Sequence, residues 1–390
     1  MCAFKTPQEL TNMHSRIPIL LVLLLILHLS CFHVIVPVSA KVFLSIDCGY
    51  SSSEPFTDEN SIEWVGDQQY VQTGESRNVM DTTKDRPWNT VREFTTRKKN
   101  CYSLDISKAE DITKVERVLV RASFHYGNYD NEGNPPTFNL QFNGNNWSQV
   151  VTSMNDTTYE EVVFSLKQGS TISVCLSQTQ RIHFPFISAL EVRSVDSDMY
   201  SYVDSNYPLM FKLRKRYGNS TNLRYPEDKY DRIWIADVSD PIFLPDVVNT
   251  SPSVRVNISD KIPEAIFKTA VTNRKSSGEI WDLGTITNLS VPLHFNAYFS
   301  EVIRLNSTQK RSFNILINKP GVTGVSVYDT VIPPYGDALQ VRIENATTYR
   351  TDHWYIGFVP TEDSTLPPLI NALEVFVIGD TLVQGTNSND

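Results

Sequence analysis

Apolar and polar residues alternate along much of the chain after its first forty positions. Apolar side chains occupy every second position over 138–142, and the same spacing recurs over 313–317. Side chains of a β-strand point alternately to two faces, so this period of two predicts strands with one buried face. Further apolar runs, separated by clusters of Gly, Pro, Asn and Asp, predict antiparallel strands at 42–46, 115–124, 171–176 and 375–378. No long helical pattern competes, so the sequence predicts an all-β fold.

An internal repeat divides the chain into two similar parts. Pro-Phe-Ile-Ser-Ala-Leu-Glu-Val at 185–192 recurs as Pro-Leu-Ile-Asn-Ala-Leu-Glu-Val at 368–375, with six of eight positions identical. A second, weaker match relates 137–143 to 312–318. Such self-similarity indicates a duplicated domain. We therefore predict two tandem antiparallel β-sandwiches of the jelly-roll kind. Their bounds are 41–196 and 223–380, with a connector over 197–222 and a disordered tail over 381–390.

The N-terminal segment indicates the compartment. Residues 17–27 are apolar throughout, Lys5 and Arg16 precede them, and small residues follow at 38–40. This arrangement predicts a secretory signal peptide over 1–40 that is cleaved after Ala40. A retained signal anchor is the alternative, because further apolar residues lengthen the run towards the roughly 20 that span a bilayer. Both interpretations predict a secreted protein or one on the extracellular side of the plasma membrane.

Cysteine content fits an oxidising compartment. Cys48, Cys101 and Cys175 follow the predicted signal peptide, which allows one disulfide and one remaining thiol. The sequence leaves the choice of pair open. No two of these cysteines have metal-ligand spacing and no histidine cluster accompanies them, so neither a metal site nor a cofactor is predicted.

Eight Asn-x-Ser/Thr triplets without a central Pro predict glycosylation, as expected for a secreted chain. The acceptor residues are Asn146, Asn155, Asn219, Asn249, Asn257, Asn288, Asn306 and Asn345.

The overall charge excludes some partners. The chain has 35 Lys+Arg against 44 Asp+Glu, and this acidic balance argues against nucleic acid or an anionic membrane surface as the main partner. A local basic cluster consists of Lys212, Arg214, Lys215 and Arg216. Because the cluster lies in the predicted connector, we interpret it as a solvated segment between the two domains.

Several segments, in this order, resemble a known family. They are Ser-Ile-Asp-Cys-Gly at 45–49, Tyr-Val-Gln-Thr-Gly at 70–74, Asn-Cys-Tyr at 100–102, Tyr-Gly-Asn-Tyr-Asp at 126–130, Arg-Tyr-Pro-Glu-Asp-Lys-Tyr-Asp-Arg-Ile-Trp at 224–234 and Leu-Pro-Pro-Leu-Ile-Asn-Ala at 366–372. Together they resemble the malectin-like ectodomain of plant leucine-rich-repeat receptor kinases, over nearly the whole chain after residue 40. The resemblance implies two malectin-type β-sandwiches, related to carbohydrate-binding modules, in a cell-surface sensor. The chain carries no kinase signature, so we expect a truncated form of such a receptor or a stand-alone binding protein.

The resemblance also suggests where a sugar would bind. Animal malectin uses an aromatic pair after a strand and an Asp just before the repeated strand. The matching aromatic regions here are 124–126 and 298–299, whereas His183 and Leu366 replace the Asp. The candidate ligand-binding residues are Tyr126, Asn128, Tyr129, Asp130, Tyr298 and Phe299. The alternatives are an ordinary turn for the first four and core packing for the last two.

Two further groups are interpreted as structural. Tyr225, Tyr230 and Trp234 predict a packing cluster between the domains. Glu191 and Glu374 occupy equivalent positions of the repeat, which favours a role in the fold, for example as acceptors of backbone N–H groups.

The sequence is compatible with three functions from different classes. The first is an extracellular carbohydrate- or ligand-binding module of receptor type. The alternative is a protein- or peptide-interaction ectodomain without sugar affinity, which the missing Asp favours. A glycoside hydrolase is the third, but no carboxylate pair is singled out, so the chain is not predicted to be an enzyme. The expected partners are a cell-wall glycan or a peptide ligand, together with receptor kinases at the cell surface.

Overall fold

A computed structural model describes residues 42–80, 84, 86–107, 115–166, 171–237, 244–285, 293–317, 326–346 and 353–383. Strands account for the regular structure of these residues, apart from one short 3-10 helix, Glu264–Lys268. The prediction of an all-β chain is confirmed. None of the helical structure in the described ranges is long and apolar enough to cross a membrane. The predicted signal peptide and the tail from residue 384 onward lie outside the described residues.

The strands of the first part of the chain are short and mostly antiparallel. They are β1 (Phe43–Asp47), β2 (Phe56–Thr57), β3 (Glu63–Gly66), β4 (Glu75–Asn78), β5 (Thr90–Glu93), β6 (Lys99–Asp105), β7 (Arg117–His125), β8 (Thr137–Phe142), β9 (Asn145–Val151), β10 (Thr157–Ser165), β11 (Thr171–Gln178), β12 (Phe186–Ile187) and β13 (Ala189–Val195).

The second part has a similar series. Its strands are β14 (Leu209–Tyr217), β15 (Ile235–Asp237), β16 (Asp246–Val248), β17 (Thr269–Thr272), β18 (Ile280–Thr285), β19 (Leu293–Phe299), β20 (Phe313–Ile317), β21 (Ser326–Val331), β22 (Leu339–Ala346), β23 (His353–Pro360), β24 (Leu369–Ile370) and β25 (Ala372–Ile378).

The repeated sequence forms the same local structure twice. Each copy is a short strand, one polar residue and a long strand, namely β12 then β13 and β24 then β25. The polar residue closes a corner in both copies. Ser188 Oγ accepts a hydrogen bond from the backbone N–H of His125 at 2.9 Å, and Asn371 Oδ1 accepts one from Ser300 at 2.7 Å. The repeat therefore encodes a corner that fixes the end of the neighbouring strand, β7 or β19.

Each repeat has its own outer sheet, and one large sheet runs through both. The outer sheets have the strand orders β6-β11-β8-β9 and β18-β23-β20-β21. The large sheet has the order β2-β3-β1-β13-β7-β10-β14-β25-β19-β22, with β15 beside β14. Apolar side chains of the large sheet pack against the outer sheets, as in the contact of Phe124 with Phe138 at 5.5 Å. This arrangement of packed sheets fits the predicted β-sandwich architecture.

Strand β14 lies where the sequence analysis predicts a connector. It pairs antiparallel with β25 and parallel with β15, just as β1 pairs antiparallel with β13 and parallel with β3. The segment predicted as a connector over 197–222 thus contains a strand with the same pairing pattern as the first strand of the chain. The domain boundaries stay a prediction.

The interpretation of 212–216 as a solvated segment is wrong for two of its residues. Arg214 is fully buried and Arg216 is only 6% exposed, because the face of β14 that carries them lies under other parts of the chain. Alternating basic residues are typical of a wet surface, but here the charge of Arg214 is paired with buried carboxylates.

The structure identifies the disulfide pair that the sequence left open. Cys101 and Cys175 face each other on neighbouring strands β6 and β11 and are joined, with 4.0 Å between their Cα atoms. Cys48 is a free, buried thiol.

The predicted glycosylation sites differ in access. Asn146, Asn155, Asn257 and Asn306 are exposed, and Asn219 is partly exposed. Asn249 is only 7% exposed, and its Nδ2 donates a hydrogen bond to the carbonyl of Phe267 at 3.0 Å. A glycan would have to attach to this enclosed nitrogen, so we expect Asn249 to be the least accessible of the described acceptors; glycosylation of all of them stays a prediction. Asn288 and the side chain of Asn345 lie outside the described residues.

Candidate functional site

The first four predicted ligand-binding residues form one loop after β7. The Tyr126 hydroxyl donates a hydrogen bond to the carboxylate of Asp130 and lies 3.4 Å from Asn128 Oδ1. The rings of Tyr126 and Tyr129 meet edge to face at 5.5 Å, and both are buried. Asn128 has a positive φ of 53°, which Asn tolerates better than most residues. The structure brings the four residues together, but the two rings belong to the core.

Tyr298 and Phe299 are fully buried and point to opposite faces of β19. The Tyr298 hydroxyl donates to Glu374 Oε2 at 2.6 Å, whereas Phe299 packs on Phe313 at 5.5 Å. The core alternative thus describes both side chains. As ligand contacts, all six residues stay a prediction.

A groove lies elsewhere, at the junction of the two repeats. Strands β10 and β14 pair only through Val162 with Met210 and Val163 with Leu209. Beyond these pairs the strands diverge and leave a groove of about 450 Å³, within the usual range of ligand sites. The groove is lined by Gln149, Val150 and Val151 of β9, by 157–160 of β10, by 211–215 of β14 and by 235–237 of β15.

Two aromatic rings meet across the groove. Tyr159 of β10 and Phe211 of β14 are stacked, with ring centroids 5.5 Å apart and an interplanar angle of 23°. The guanidinium of Arg121 lies 5.8 Å from the Tyr159 ring, and that of Arg214 lies 5.0 Å from the Phe211 ring, which are cation–π distances. Burial raises the pKa of Tyr159 to about 12, so its hydroxyl is protonated at physiological pH.

Charged groups of the groove compensate one another. Burial raises the pKa of Glu160, and the nearby ammonium of Lys212 opposes this shift. The ammonium of Lys215 lies 2.8 Å from Asp282 and 3.1 Å from Asp237. Exposed apolar side chains, Val151 at 63% and Ile235 at 37%, complete the lining. The groove is thus apolar with balanced charges.

Buried ion pairs support the groove from below. The guanidinium of Arg214 lies 2.8 Å from Glu161 and 2.6 Å from Glu374, and Glu161 also pairs with Arg121 at 2.9 Å. Arg121 in turn reaches Glu191 at 3.2 Å. The fold role predicted for the two repeated glutamates fits these contacts. The proposed backbone N–H partners are wrong, because the donors are guanidinium groups at Glu191 and a guanidinium with tyrosine hydroxyls at Glu374.

Asp231 extends this network towards the N-terminal strands. Its carboxylate lies 2.7 Å from Arg193 and 2.8 Å from Arg224. Burial alone would raise the pKa of Asp231, but Arg193, Arg224 and Arg121 together lower it.

The three aromatic residues predicted as one packing cluster between the domains belong to three separate apolar clusters, and Tyr230 lies in the one that contains Met199 and Phe376. Tyr225 contacts Phe43 of β1 at 5.0 Å, and Trp234 contacts Tyr298 of β19 at 5.9 Å. These aromatic residues therefore contact strands of both repeats.

Sequence analysis did not find the groove. Tyr159 and Phe211 are 52 positions apart and belong to no motif, so no local signal links them. Within the described ranges, no group of His, Cys, Asp and Glu could hold a metal ion.

Fold and groove together define a tandem β-sandwich module with a binding-sized groove between its repeats. The chain belongs to the malectin-like domain family, whose model matches residues 46–378. It is 33% identical to the uncharacterized protein At1g24485 of Arabidopsis thaliana, over 91% of this chain and 68% of that protein. It is 32% identical to a probable LRR receptor-like serine/threonine-protein kinase of the same plant, At1g05700, over 89% of this chain. The matched region spans only 40% of that kinase.

Solved structures share the fold. The plant receptor-like kinase FER matches with a TM-score of 0.71 at 15% identity, over 89% of this chain and 99% of that chain. A complex of the plant peptide RALF23 with FER and LLG2 matches with a TM-score of 0.67 at 15% identity, over 90% of this chain and all of the matched chain. The predicted resemblance to malectin-like ectodomains and the predicted fold class are thereby confirmed.

Proposed function

We propose that this protein is a non-catalytic, extracellular ligand-binding module of receptor type, and that its ligand binds in the groove between β10 and β14. The observation that carries the proposal is the groove itself, with its stacked Tyr159 and Phe211 and its exposed apolar rim. A tandem module with a groove at the junction of its repeats can couple ligand contact to both repeats at once.

Other observations support an extracellular location. The Cys101–Cys175 disulfide fits an oxidising compartment. The predicted signal peptide and the exposed Asn-x-Ser/Thr triplets agree with it. Relatives of the chain are named as receptor-like kinases, which supports a receptor kinase at the cell surface as a further partner.

Two ligand classes fit a receptor module of this kind. FER was solved in complex with the peptide RALF23 and with LLG2, which supports a peptide ligand for the fold. A cell-wall glycan is the second candidate, because an aromatic pair in a groove offers apolar surface to sugar rings. The absence of an Asp at His183 and Leu366 weighs against the glycan.

Binding of the full chain to a cell-wall oligosaccharide array and to a display library of linear peptides tests the proposal. Val151→Glu places a charge on the rim of the groove and should abolish the binding of ligands that use it. Val248→Glu is the matched control, because Val248 is a strand residue with 71% exposure outside the groove. Ligands that bind both variants equally would contradict the assignment of the groove.

A further inference from the structure

The walls of the groove are strand edges rather than strand faces. Four consecutive residues of β10, 157–160, and five consecutive residues of β14, 211–215, line it. Successive side chains of a strand point to opposite faces, so a face could contribute only every second residue. A wall made of consecutive residues therefore presents the backbone.

The pairing of the large sheet explains why these edges are open. On its other side, β10 pairs with β7 along its entire length, from Thr157 to Ser165. Towards β14 its pairing stops at Val162. Strand β14 pairs with β15 only from Lys215 onward. Between these points β10 has an edge of the kind that accepts an additional strand.

The charges of the groove indicate the character of its occupant. Glu160 lies near Lys212, Lys215 pairs with Asp237 and Asp282, and Arg214 pairs with buried glutamates. Lys215 and Arg214 are already paired with carboxylates, so these two cations offer little attraction to an anionic ligand. The exposed rim formed by Val151 and Ile235 and the Tyr159–Phe211 stack instead favour apolar contacts.

We propose that the groove binds an extended, largely uncharged peptide segment. The peptide pairs with β10 as an additional strand, along the part of β10 that lies beyond its last pair with β14 at Val162. This inference rests on the proposed function and adds the ligand class and the mode of binding. Residues 157–160 would pair with about four peptide residues, because a strand rises roughly 3.3 Å per residue. Backbone hydrogen bonds supply affinity in such strand addition, and alternate side chains supply specificity.

The two faces of the added strand would meet different surroundings. Every second peptide side chain would contact the stacked rings of Tyr159 and Phe211. The side chains between them would face Glu160 and Lys212. Apolar and β-branched residues at alternate positions are thus expected in peptides that bind.

The test starts from linear peptides that the full chain selects from a random display library, with Val151→Glu as the groove variant and Val248→Glu as the control. Each selected peptide is resynthesised with one backbone amide N-methylated at a time, which removes a donor and keeps the side chain. Strand addition to β10 predicts a loss of about tenfold or more in affinity at every second position and little change between them.

Other outcomes overturn the inference. Peptides that need Val151 but show no alternation would bind in another conformation. If Val151→Glu abolishes the binding of oligosaccharides only, the proposed function stands and the inference of a peptide ligand is refuted. If neither library yields a ligand that depends on Val151, both the inference and the proposed function fail.

Discussion

Arg214 and Glu374 form an ion pair of 2.6 Å between neighbouring strands β14 and β25, with both side chains fully buried. Arg214 also pairs with Glu161 of β10, so one guanidinium bridges the point where the two repeats meet. The same side chain lies beneath the Phe211 ring of the groove. The groove and the junction between the repeats therefore share one structural support.

Removal of this guanidinium should be strongly destabilising. Arg214→Met leaves Glu161 and Glu374 buried with one cationic partner fewer, and such a change costs about 3–5 kcal/mol of unfolding free energy. Lys212→Met, two positions away on the exposed side, should stay within about 0.5 kcal/mol. Denaturant unfolding of both variants measures the difference. Equal stability of the two variants would show that the ion pairs of Arg214 do not stabilise the junction between the repeats.

The disulfide offers a second test, in the outer sheet of the first repeat. Cys101 and Cys175 are 74 residues apart in sequence, so their link constrains a long stretch of the unfolded chain. Replacement of both by Ala should lower the unfolding free energy by about 2–4 kcal/mol. Alkylation of the denatured, unreduced protein should label Cys48 and leave Cys101 and Cys175 unmodified, as peptide mass spectrometry would detect. Labelling of Cys101 or Cys175 would refute the pairing.

The sequence predicted those parts of the fold whose pattern is local. Alternation over 138–142 is confirmed, because Phe138, Leu140 and Phe142 are buried in the core and Asn139 is exposed. The repeat at 185–192 and 368–375 was visible because its corner needs a small polar residue between two apolar strands.

Features that depend on distant partners were not visible. Strand β14 carries Arg214 and Arg216 where an ordinary strand has apolar residues, so its buried face resembles a solvated one. The compensating carboxylates, Glu161 and Glu374, lie 53 and 160 positions away. The groove has the same origin, since Tyr159 and Phe211 meet only once β10 and β14 have paired.

Stability should depend on pH through Asp47. This carboxyl is buried at the end of β1, and burial raises its pKa to about 7. The folded state therefore holds a proton that the unfolded chain releases at a lower pH. The bound proton therefore adds to the free energy of unfolding, by an amount on the order of a few kcal/mol. This stabilisation is fully present below the unfolded pKa of 3.8 and is lost as the pH rises towards 7. Asp47→Asn, which keeps an acceptor for the Thr90 hydroxyl, should remove this dependence. Unfolding curves between pH 4 and pH 8 measure it, and an unchanged pH dependence in the variant would contradict the assignment.

Asn249 should differ from the other predicted glycosylation sites. Its Nδ2 is enclosed and bonded to the carbonyl of Phe267, so Asn249→Gln displaces a buried hydrogen bond and should cost about 1–3 kcal/mol. Asn257→Gln, at an exposed triplet, should change the unfolding free energy by less than about 0.5 kcal/mol. Glycopeptide mass spectrometry of the secreted chain should find Asn249 unmodified, because a glycan on the enclosed nitrogen would separate it from Phe267 and from the core behind it. A glycan found on Asn249 of the folded protein would mean that this segment packs differently.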